Sequence, residues 1–307
     1  MKRIIAIFWI FLLVVSCSTS PETEETSTTG EAAEEKPTYR IGYMICNSEP
    51  ETLDRFLPLT AYLSQKLGVN FEAEAIDTIQ FMKEVDGLDF THTNSLLYIM
   101  MQRLKGVEIL AAEKKGSLGH LSQGVIITKA DSAIKTVADL KGKTMIFGPS
   151  LAPTGFMSQV DTLMQNGLDP EDDLAFYTIP SGSFKHEKVA YAVLFDKYDA
   201  GALPIDDIET MAKAGRIMDD DFAVIGKGPS IPYCNFGVTQ KVDEDFAAKF
   251  KEVILAITPD DTVQYEGEEV KVLKRALVDG FVDIQDADFD IVRELAKRTN
   301  MPPYQKY

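Results

Sequence analysis

This chain of 307 residues has no excess of positive charge. It has 31 Lys and Arg residues against 48 Asp and Glu residues, and its formal net charge is −17. Binding to a nucleic-acid backbone depends on clustered Lys and Arg, and the sequence has neither a basic patch nor a motif of a nucleic-acid-binding module. Nucleic acid is therefore excluded as a partner.

Motifs of catalysis are missing as well. The segment GKGPS lacks the spacing of a nucleotide-binding loop, and no GxGxxG follows a predicted strand. Neither HExxH nor GxSxG occurs. We therefore predict a protein that is not an enzyme and that needs no metal and no cofactor.

Cysteine is rare, with three residues in the whole chain. Cys17 lies near the N-terminus, so only Cys46 and Cys234 remain for the rest of the protein. Outside the cell such a pair forms either a disulfide or two buried free thiols, and two positions in a sequence do not decide between them. A third interpretation joins Cys46, Cys234 and a histidine in a metal or haem site.

Long apolar runs are confined to the N-terminus. Lys2 and Arg3 precede an apolar stretch, residues 4–15, that is too short to span a bilayer comfortably. The sequence VVSC that ends at Cys17 resembles a bacterial lipobox, which implies cleavage before Cys17 and acylation of its thiol. Acyl chains on one residue would anchor the protein outside a membrane. The alternative is an ordinary signal peptide with an incidental cysteine.

Large apolar side chains are absent from residues 18–36, which contain six Glu together with Ser, Thr, Pro and Gly. A segment of this composition cannot bury enough apolar surface to fold. We predict residues 1–17 as a lipoprotein signal peptide with its lipobox, and residues 18–36 as a disordered acidic tether.

Strand and helix patterns alternate from Tyr39 onward. A helical pattern over residues 52–67 ends at Gly68, and another over 153–166 ends at Gly167. Two further helices are predicted over residues 267–280 and 289–299. Strands separated by helices indicate an α/β protein with mostly parallel sheets and flanking helices.

Five segments, in order, resemble one family, the phosphate/phosphite/phosphonate-binding proteins of ABC transporters. They are FLPLTAYLSQKLGV, LDFTHTNSLLYI, GVIITKADSAIKTVADLKGKTMIFGPSLAPTGF, SGSFKHEKVAYAVLFDKYDAGAL and SIPYCNFGV. The resemblance implies a two-lobed type 2 periplasmic-binding-protein fold with two hinge crossovers, here GVIITK and CNFGVTQ. Lobe 1 would comprise residues 37–122 plus 236–307, and lobe 2 residues 123–235.

The loop GPSLAPTGF is placed by the resemblance where family members carry a Ser-Thr-Ser-Gly run that binds the anion. A helix N-terminus offers unpaired N–H groups and a partial positive charge to such a ligand. This chain has Ala152 and Pro153 in that run, and Pro153 has no N–H. Ser150, Thr154 and Gly155 remain as candidate ligand-binding residues. Proline at a helix start is also explained by capping alone.

The start of a second helix supplies candidates in lobe 1. Thr93, Asn94 and Ser95 follow a strand, where they either bind the ligand or only cap the helix. Tyr98 matches a tyrosine of the family one turn further on, but it also fits a role in core packing.

The remaining candidates come from matches to the family pattern. His186 would donate to a bound oxyanion, His120 stands where many members have an aromatic residue, and Ser122 matches a serine. Asp199 either meets a positive group on the ligand or caps its turn. His92, in contrast, is predicted to be structural.

Together these features predict a monomeric, lipid-anchored, extracytoplasmic solute-binding protein that delivers a small oxyanion to an ABC permease. Two alternatives remain open. The first is a ligand-sensing module that works with a separate signalling protein. The second is the metal or haem carrier that would use the two later cysteines.

Overall fold

The computed structural model describes residues 36–180 and 186–306, and Lys36–Tyr307 forms one compact unit. The strands are β1 Thr38–Met44, β2 Asn70–Ile76, β3 Phe90–Thr93, β4 Glu108–Lys114, β5 Leu121–Lys129, β6 Thr144–Ile146, β7 Phe176–Thr178, β8 Ala200–Pro204, β9 Phe222–Pro232, β10 Asn235–Val238, β11 Thr262–Tyr265, β12 Glu268–Lys271 and β13 Gly280–Val282. The α-helices are α1 Glu49–Leu67, α2 Phe81–Glu84, α3 Ser95–Lys105, α4 Ser158–Gln165, α5 Pro170–Asp173, α6 Glu187–Leu194, α7 Ile205–Lys213, α8 Glu244–Leu255, α9 Val272–Ala276 and α10 Asp290–Arg298. The signal peptide, Cys17 and nearly all of the predicted tether lie outside the described residues.

Two large sheets organise these elements. The first sheet has the strand order β13-β4-β10-β3-β1-β2, and the second has the order β7-β6-β8-β5-β9. The chain passes from the first sheet to the second between β4 and β5, and returns between β9 and β10. The segments GVIITK and CNFGVTQ contribute strands to the second and the first sheet, respectively. The division into two hinged lobes stays a prediction.

The pairing of strands is more mixed than the alternating pattern predicts. Strands β1, β2 and β3 are parallel, as are β6, β7 and β8. However, β10 runs antiparallel to both of its neighbours, and β5 is antiparallel to β8 and β9. These strands lie beside the two passages between sheets, where no βαβ unit imposes a parallel direction.

Helix α1 shows how local sequence and packing agree. Ser48 caps its first turn, and Gly68 ends it with a φ of 71°, a conformation that glycine adopts readily. Pro58 lies inside the helix and has no N–H for the carbonyl of Asp54. The Nε of Arg275 donates to that carbonyl at 3.1 Å, so the exposed acceptor still has a protein partner.

The prediction of a helix over residues 267–280 is wrong. Strands β11 and β12 form an antiparallel hairpin there, followed by the short helix α9 and strand β13. The hairpin turn contains Glu266 and Gly267, both at positive φ. The terminal helix predicted over 289–299 is present as α10. It packs against α3 on the first-sheet side and α4 on the second-sheet side.

Candidate functional site

The loop after β6 forms one side of the candidate site. Its ends meet because the Gly148 N–H donates to the Gly155 carbonyl at 2.8 Å. The following turn, Pro153–Met157, is π-helical, and the N–H groups of Phe156 and Met157 both donate to the Ala152 carbonyl. Such π-helical turns are frequent at functional sites. The sequence predicts an ordinary helix start here, because a period of 3.6 residues does not reveal the wider first turn.

Thr154 is buried in this turn. Ser122, at the start of β5, donates to the Thr154 hydroxyl at 3.4 Å. Ser150 lies half-buried in the loop four residues earlier. The structure therefore brings Ser122, Ser150, Thr154 and Gly155 together at one end of the second sheet.

Gln159 supports this turn and is not identified by sequence reasoning. Its Nε2 lies 2.6 Å from the Thr154 carbonyl and 3.2 Å from the carbonyls of Val125 and Leu203. One buried amide thereby joins the turn to β5 and β8. The clue in the sequence is a polar residue on the apolar side of a short helix, which by itself does not indicate a function.

His186 lies against the same loop. An added Cβ at Gly155 would come within 2.6 Å of the His186 ring, and one at Gly148 within 2.9 Å. Glycine is therefore required at both positions for this close approach. The His186 Nδ1 lies 2.9 Å from the Asp207 carboxylate, which fixes the orientation of the ring.

Two acidic residues that the sequence analysis missed occur here, at the start of α7. Asp207 bonds to His186, and Asp206 has one buried carboxylate oxygen with no hydrogen-bond partner among the described residues. Burial raises the pKa of Asp206, and the carboxylates of Glu209 and Asp207 raise it further. The second-sheet side of the site is thus locally acidic.

The N-terminus of α3 forms the other side. Asn94 caps the helix by accepting from the Leu97 N–H at 2.9 Å. Thr93 and Ser95 flank it, and both are 0 % exposed. Neither hydroxyl has a hydrogen-bond partner in the described part of the chain.

Asn235 adds a fourth polar group to this side and was not predicted. It lies opposite Thr93 in the pairing of β10 with β3, and it is 0 % exposed. Its Oδ1 has no partner among the described residues. A buried amide is usually fully hydrogen-bonded, so this one calls for an explanation.

The two sides are in direct contact. The Nδ2 of Asn94 donates to the Leu151 carbonyl at 3.0 Å, which joins α3 to the loop after β6. Arg298 of α10 forms a bidentate ion pair with Asp161 of α4, at 2.7 and 3.0 Å. The Arg298–Asp161 ion pair is stronger than an ordinary surface pair because Asp161 is buried.

Two predicted residues, Tyr98 and Asp199, do not join this group. The Tyr98 hydroxyl donates to Asp286 at 2.6 Å and its ring packs on Phe289, so it lies in the core between α3 and the C-terminal region. Burial and the Asp286 carboxylate raise the pKa of Tyr98. His120 lies half-buried between β4 and β5, where its carbonyl accepts from the Tyr233 N–H.

Asp199 was predicted as a ligand-binding residue but does not lie at the site. It immediately precedes β8, whereas Asp206 and Asp207 follow that strand, so Asp199 lies at the opposite end of the second sheet. Its carboxylate accepts from the N–H and the hydroxyl of Thr144, both at 2.8 Å. Both residues line a surface pocket of about 330 Å³ that is separate from the site. The structure favours the capping role for Asp199.

A buried histidine–glutamate pair lies on the other face of the first sheet. The His92 Nε2 is 2.9 Å from the Glu113 carboxylate, and both residues are 2 % exposed. Burial alone would raise the pKa of Glu113, but the charge and hydrogen bond of His92 hold it below its usual value. His92 also packs against Phe56 and Phe236. These contacts agree with the structural role predicted for His92.

Cys46 and Cys234 are both free, so the possible disulfide between them is not formed. Burial raises the pKa of both thiols. Among the residues that the structure describes, no group of three or more His, Cys, Asp or Glu could hold a metal ion. The metal or haem interpretation therefore has no structural support in that part of the chain.

Comparison with solved structures defines the fold. A binding protein of an ABC phosphonate transporter from Pseudomonas aeruginosa superposes with a TM-score of 0.69 at 18% identity, over 87% of each chain. PhnD1 of Prochlorococcus marinus in complex with methylphosphonate gives 0.71 at 17% identity, over 86% of this chain and 98% of that one. The chain thus has the α/β fold of periplasmic solute-binding proteins.

The sequence identifies the family within that fold. The family model described as "ABC transporter, phosphonate, periplasmic substrate-binding protein" matches residues 41–289, and the chain belongs to this family. Its members bind small molecules for an ABC permease outside the cytoplasm and are not enzymes. In the described residues, no helix is long and apolar enough to cross a membrane.

One curated relative comes from another functional class. The tetrathionate sensor histidine kinase TtrS of Salmonella typhimurium is 27% identical over 218 residues, which is 69% of this chain. The chain spans only about a third of the length of that relative, 36%.

Proposed function

We propose that this protein is a lipid-anchored solute-binding protein that captures a small oxyanion, of the phosphonate, phosphite or phosphate type, between its two sheets. The two sheets would belong to two lobes that close on the ligand and then deliver it to the permease. A ligand that contacts both lobes stabilises the closed state. We expect the protein to act as a monomer.

The observation that supports this proposal most directly is the meeting of two polar surfaces. Asn94 and Leu151 hydrogen-bond across the boundary, and the buried hydroxyls of Thr93 and Ser95 lie on one side of it. Thr154 and His186 lie on the other side. Buried polar groups without partners cost about 1–3 kcal/mol each, a cost that a polar ligand would remove.

The lipid anchor rests on the sequence before and including Cys17. Mass spectrometry of the protein from membranes would test it, since acylation at Cys17 requires a lipid-modified N-terminal peptide. An unmodified N-terminus, or one that begins after a different cleavage site, would contradict the anchor and leave ligand binding untouched.

Thermal unfolding of the chain from Lys36 onward tests the binding function. A ligand at a hundredfold excess over its Kd adds about 2.7 kcal/mol of stability, which corresponds to a shift of about 5–10 °C for a protein of this size. The panel comprises phosphate, phosphite, methylphosphonate, 2-aminoethylphosphonate, sulfate and tetrathionate, each compared with sodium chloride at equal ionic strength.

A double variant, Thr93→Val with Thr154→Val, removes one hydroxyl from each side and should weaken binding at least tenfold. The matched control is Thr144→Val, because Thr144 lies at the far end of the second sheet. If no compound shifts the melting temperature, the oxyanion proposal is wrong. An equal loss of affinity in the control would place the ligand elsewhere.

The similarity to TtrS supports a second candidate, a sensing module that works with a separate signalling protein. A shift produced by tetrathionate and by no phosphorus compound would favour it. In that case, pull-down of a membrane histidine kinase, and not of a permease, would distinguish sensing from transport.

A further inference from the structure

Three buried polar atoms on the first-sheet side lack partners among the described residues. They are the hydroxyls of Thr93 and Ser95 and the Oδ1 of Asn235, and each of the three residues is 0 % exposed. Thr91, two residues deeper in β3, has a fourth such hydroxyl. Four such atoms in β3, β10 and the first residue of α3 are unusual, since buried polar atoms are normally hydrogen-bonded.

These atoms gather around one helix end. Thr93 is the last residue of β3 and is the direct partner of Asn235, the first residue of β10. Directly opposed residues in antiparallel strands place their side chains on the same face of the sheet. Ser95 is the first residue of α3, an 11-residue helix that begins immediately beyond. The helix N-terminus adds a partial positive charge to this group.

The charge around this group differs from that on the second-sheet side. Thr93 and Asn235 share their face with Ala112 of β4, while the Glu113 carboxylate lies on the opposite face with His92. The second-sheet side instead has the carboxylates of Asp206 and Asp207.

The loop on the second-sheet side is also poor in donors. Pro153 has no N–H, Ala152 has no hydroxyl, and the Thr154 hydroxyl is within 3.4 Å of Ser122. An anion placed at this loop would lie beside His186, whose partner is the Asp207 carboxylate. Like charges at short range are unfavourable.

We infer that the anionic end of the ligand binds on the first-sheet side, at the α3 N-terminus, to the hydroxyls of Thr93 and Ser95, while the Asn235 Oδ1 beside them can accept a hydrogen bond only from a protonated oxygen of the ligand. The opposite end of the ligand faces Asp206 and the His186–Asp207 pair, and it therefore carries a hydrogen-bond donor such as a hydroxyl or an ammonium group. The ligand is a small oxyanion with a donor at its other end. This assignment rests on the proposed function, and it applies equally to phosphorus and sulfur oxyanions.

Calorimetric titration with methylphosphonate and 2-aminoethylphosphonate tests the assignment on single variants of the chain from Lys36 onward. Thr93→Val and Ser95→Ala should each weaken binding of the anion about tenfold or more, since each removes a hydrogen bond to a charged group. The matched variants Thr154→Val and Ser150→Ala, on the second-sheet side, should change the affinity less than threefold.

Unfolding of the same variants without ligand separates binding from folding. Removal of a buried hydroxyl that has no partner should leave the melting temperature of Thr93→Val and Ser95→Ala unchanged or higher. A lower melting temperature would show that these hydroxyls have structural partners and would overturn the assignment.

The remaining outcomes are distinct. If a probe binds but its affinity depends on Thr154 and Ser150, and not on Thr93 and Ser95, the assignment is wrong and the proposed function stands. If neither probe binds and no compound of the thermal-unfolding panel shifts the melting temperature, both are wrong. Tighter binding of 2-aminoethylphosphonate than of methylphosphonate, lost in Asp206→Asn, would support the predicted donor end.

Discussion

Removal of the Glu113 carboxylate should destabilise the protein strongly. Glu113 and His92 are each 2 % exposed and lie 2.9 Å apart in the core of the first sheet. Breaking a buried ion pair by removing one partner typically costs about 3–5 kcal/mol, because the other partner stays buried without compensation. We expect this cost for Glu113→Ala. Glu113→Gln keeps an acceptor for His92 and should cost less, about 1–3 kcal/mol.

Urea unfolding of the chain from Lys36 onward measures these changes at pH 7. The matched control is Glu294→Ala, which removes an exposed partner of Lys297 and should cost less than about 1 kcal/mol. A cost for Glu113→Ala as small as that of the control would refute the argument, because it would mean that the pair contributes no more than a surface ion pair.

The pH dependence gives a second measure of the same pair. The pKa of Glu113 is lowered in the folded protein, so its stabilising contribution is present above the ordinary glutamate pKa of about 4.3. That contribution is lost as the pH falls through the lower, folded-state pKa. The difference in stability between the natural protein and Glu113→Gln should therefore shrink below about pH 4. A difference that stays constant down to pH 3 would contradict the assigned direction.

Three further predictions concern the site and its supports. Gly155→Ala should displace the His186 ring and weaken ligand binding at least tenfold in calorimetry, while far-UV circular dichroism stays unchanged, because an added Cβ would lie 2.6 Å from the ring. Asp206→Asn should raise the melting temperature at pH 7 and lose this advantage below about pH 4, because the raised pKa of Asp206 makes its ionised form unfavourable in the fold. Arg298→Ala should lower the free energy of unfolding by about 2–3 kcal/mol, since Asp161 would be left buried without its bidentate partner; a loss below 0.5 kcal/mol would show that water replaces the arginine.

Much of the fold could be predicted because local and long-range signals agree. The apolar spacing before Gly68 predicts α1, and the polar residue Asn94 before an apolar run predicts the start of α3. The hairpin over β11 and β12 was missed because each strand has only four residues, and three of the four residues of β12 are charged, so β12 shows no alternation of apolar and polar residues.

The candidate site was harder to predict for a different reason. Asp199 was selected because it matches the family pattern, and a local sequence pattern does not reveal that Asp206 and Asp207, at the other end of β8, adjoin the loop after β6. The role of Asn235 depends on its position opposite Thr93, a contact between residues far apart in the chain. The Gln159 Nε2 lies within hydrogen-bond distance of three carbonyls from three different elements, and no local sequence pattern predicts such contacts.

The chain carries a strong negative charge. It can capture an anion only if the groups close to the site, and not the net charge, dominate the electrostatic interaction with the ligand. At physiological ionic strength, interactions between exposed charges are largely screened beyond about 8 Å. Most of the acidic residues on the surface therefore act weakly on a ligand held among buried groups. In the binding mode inferred above, the ligand would meet the α3 N-terminus and the hydroxyls of Thr93 and Ser95 at one end, and the carboxylates of Asp206 and Asp207 at the other. We expect this asymmetry, and not the net charge, to set the orientation in which the ligand binds.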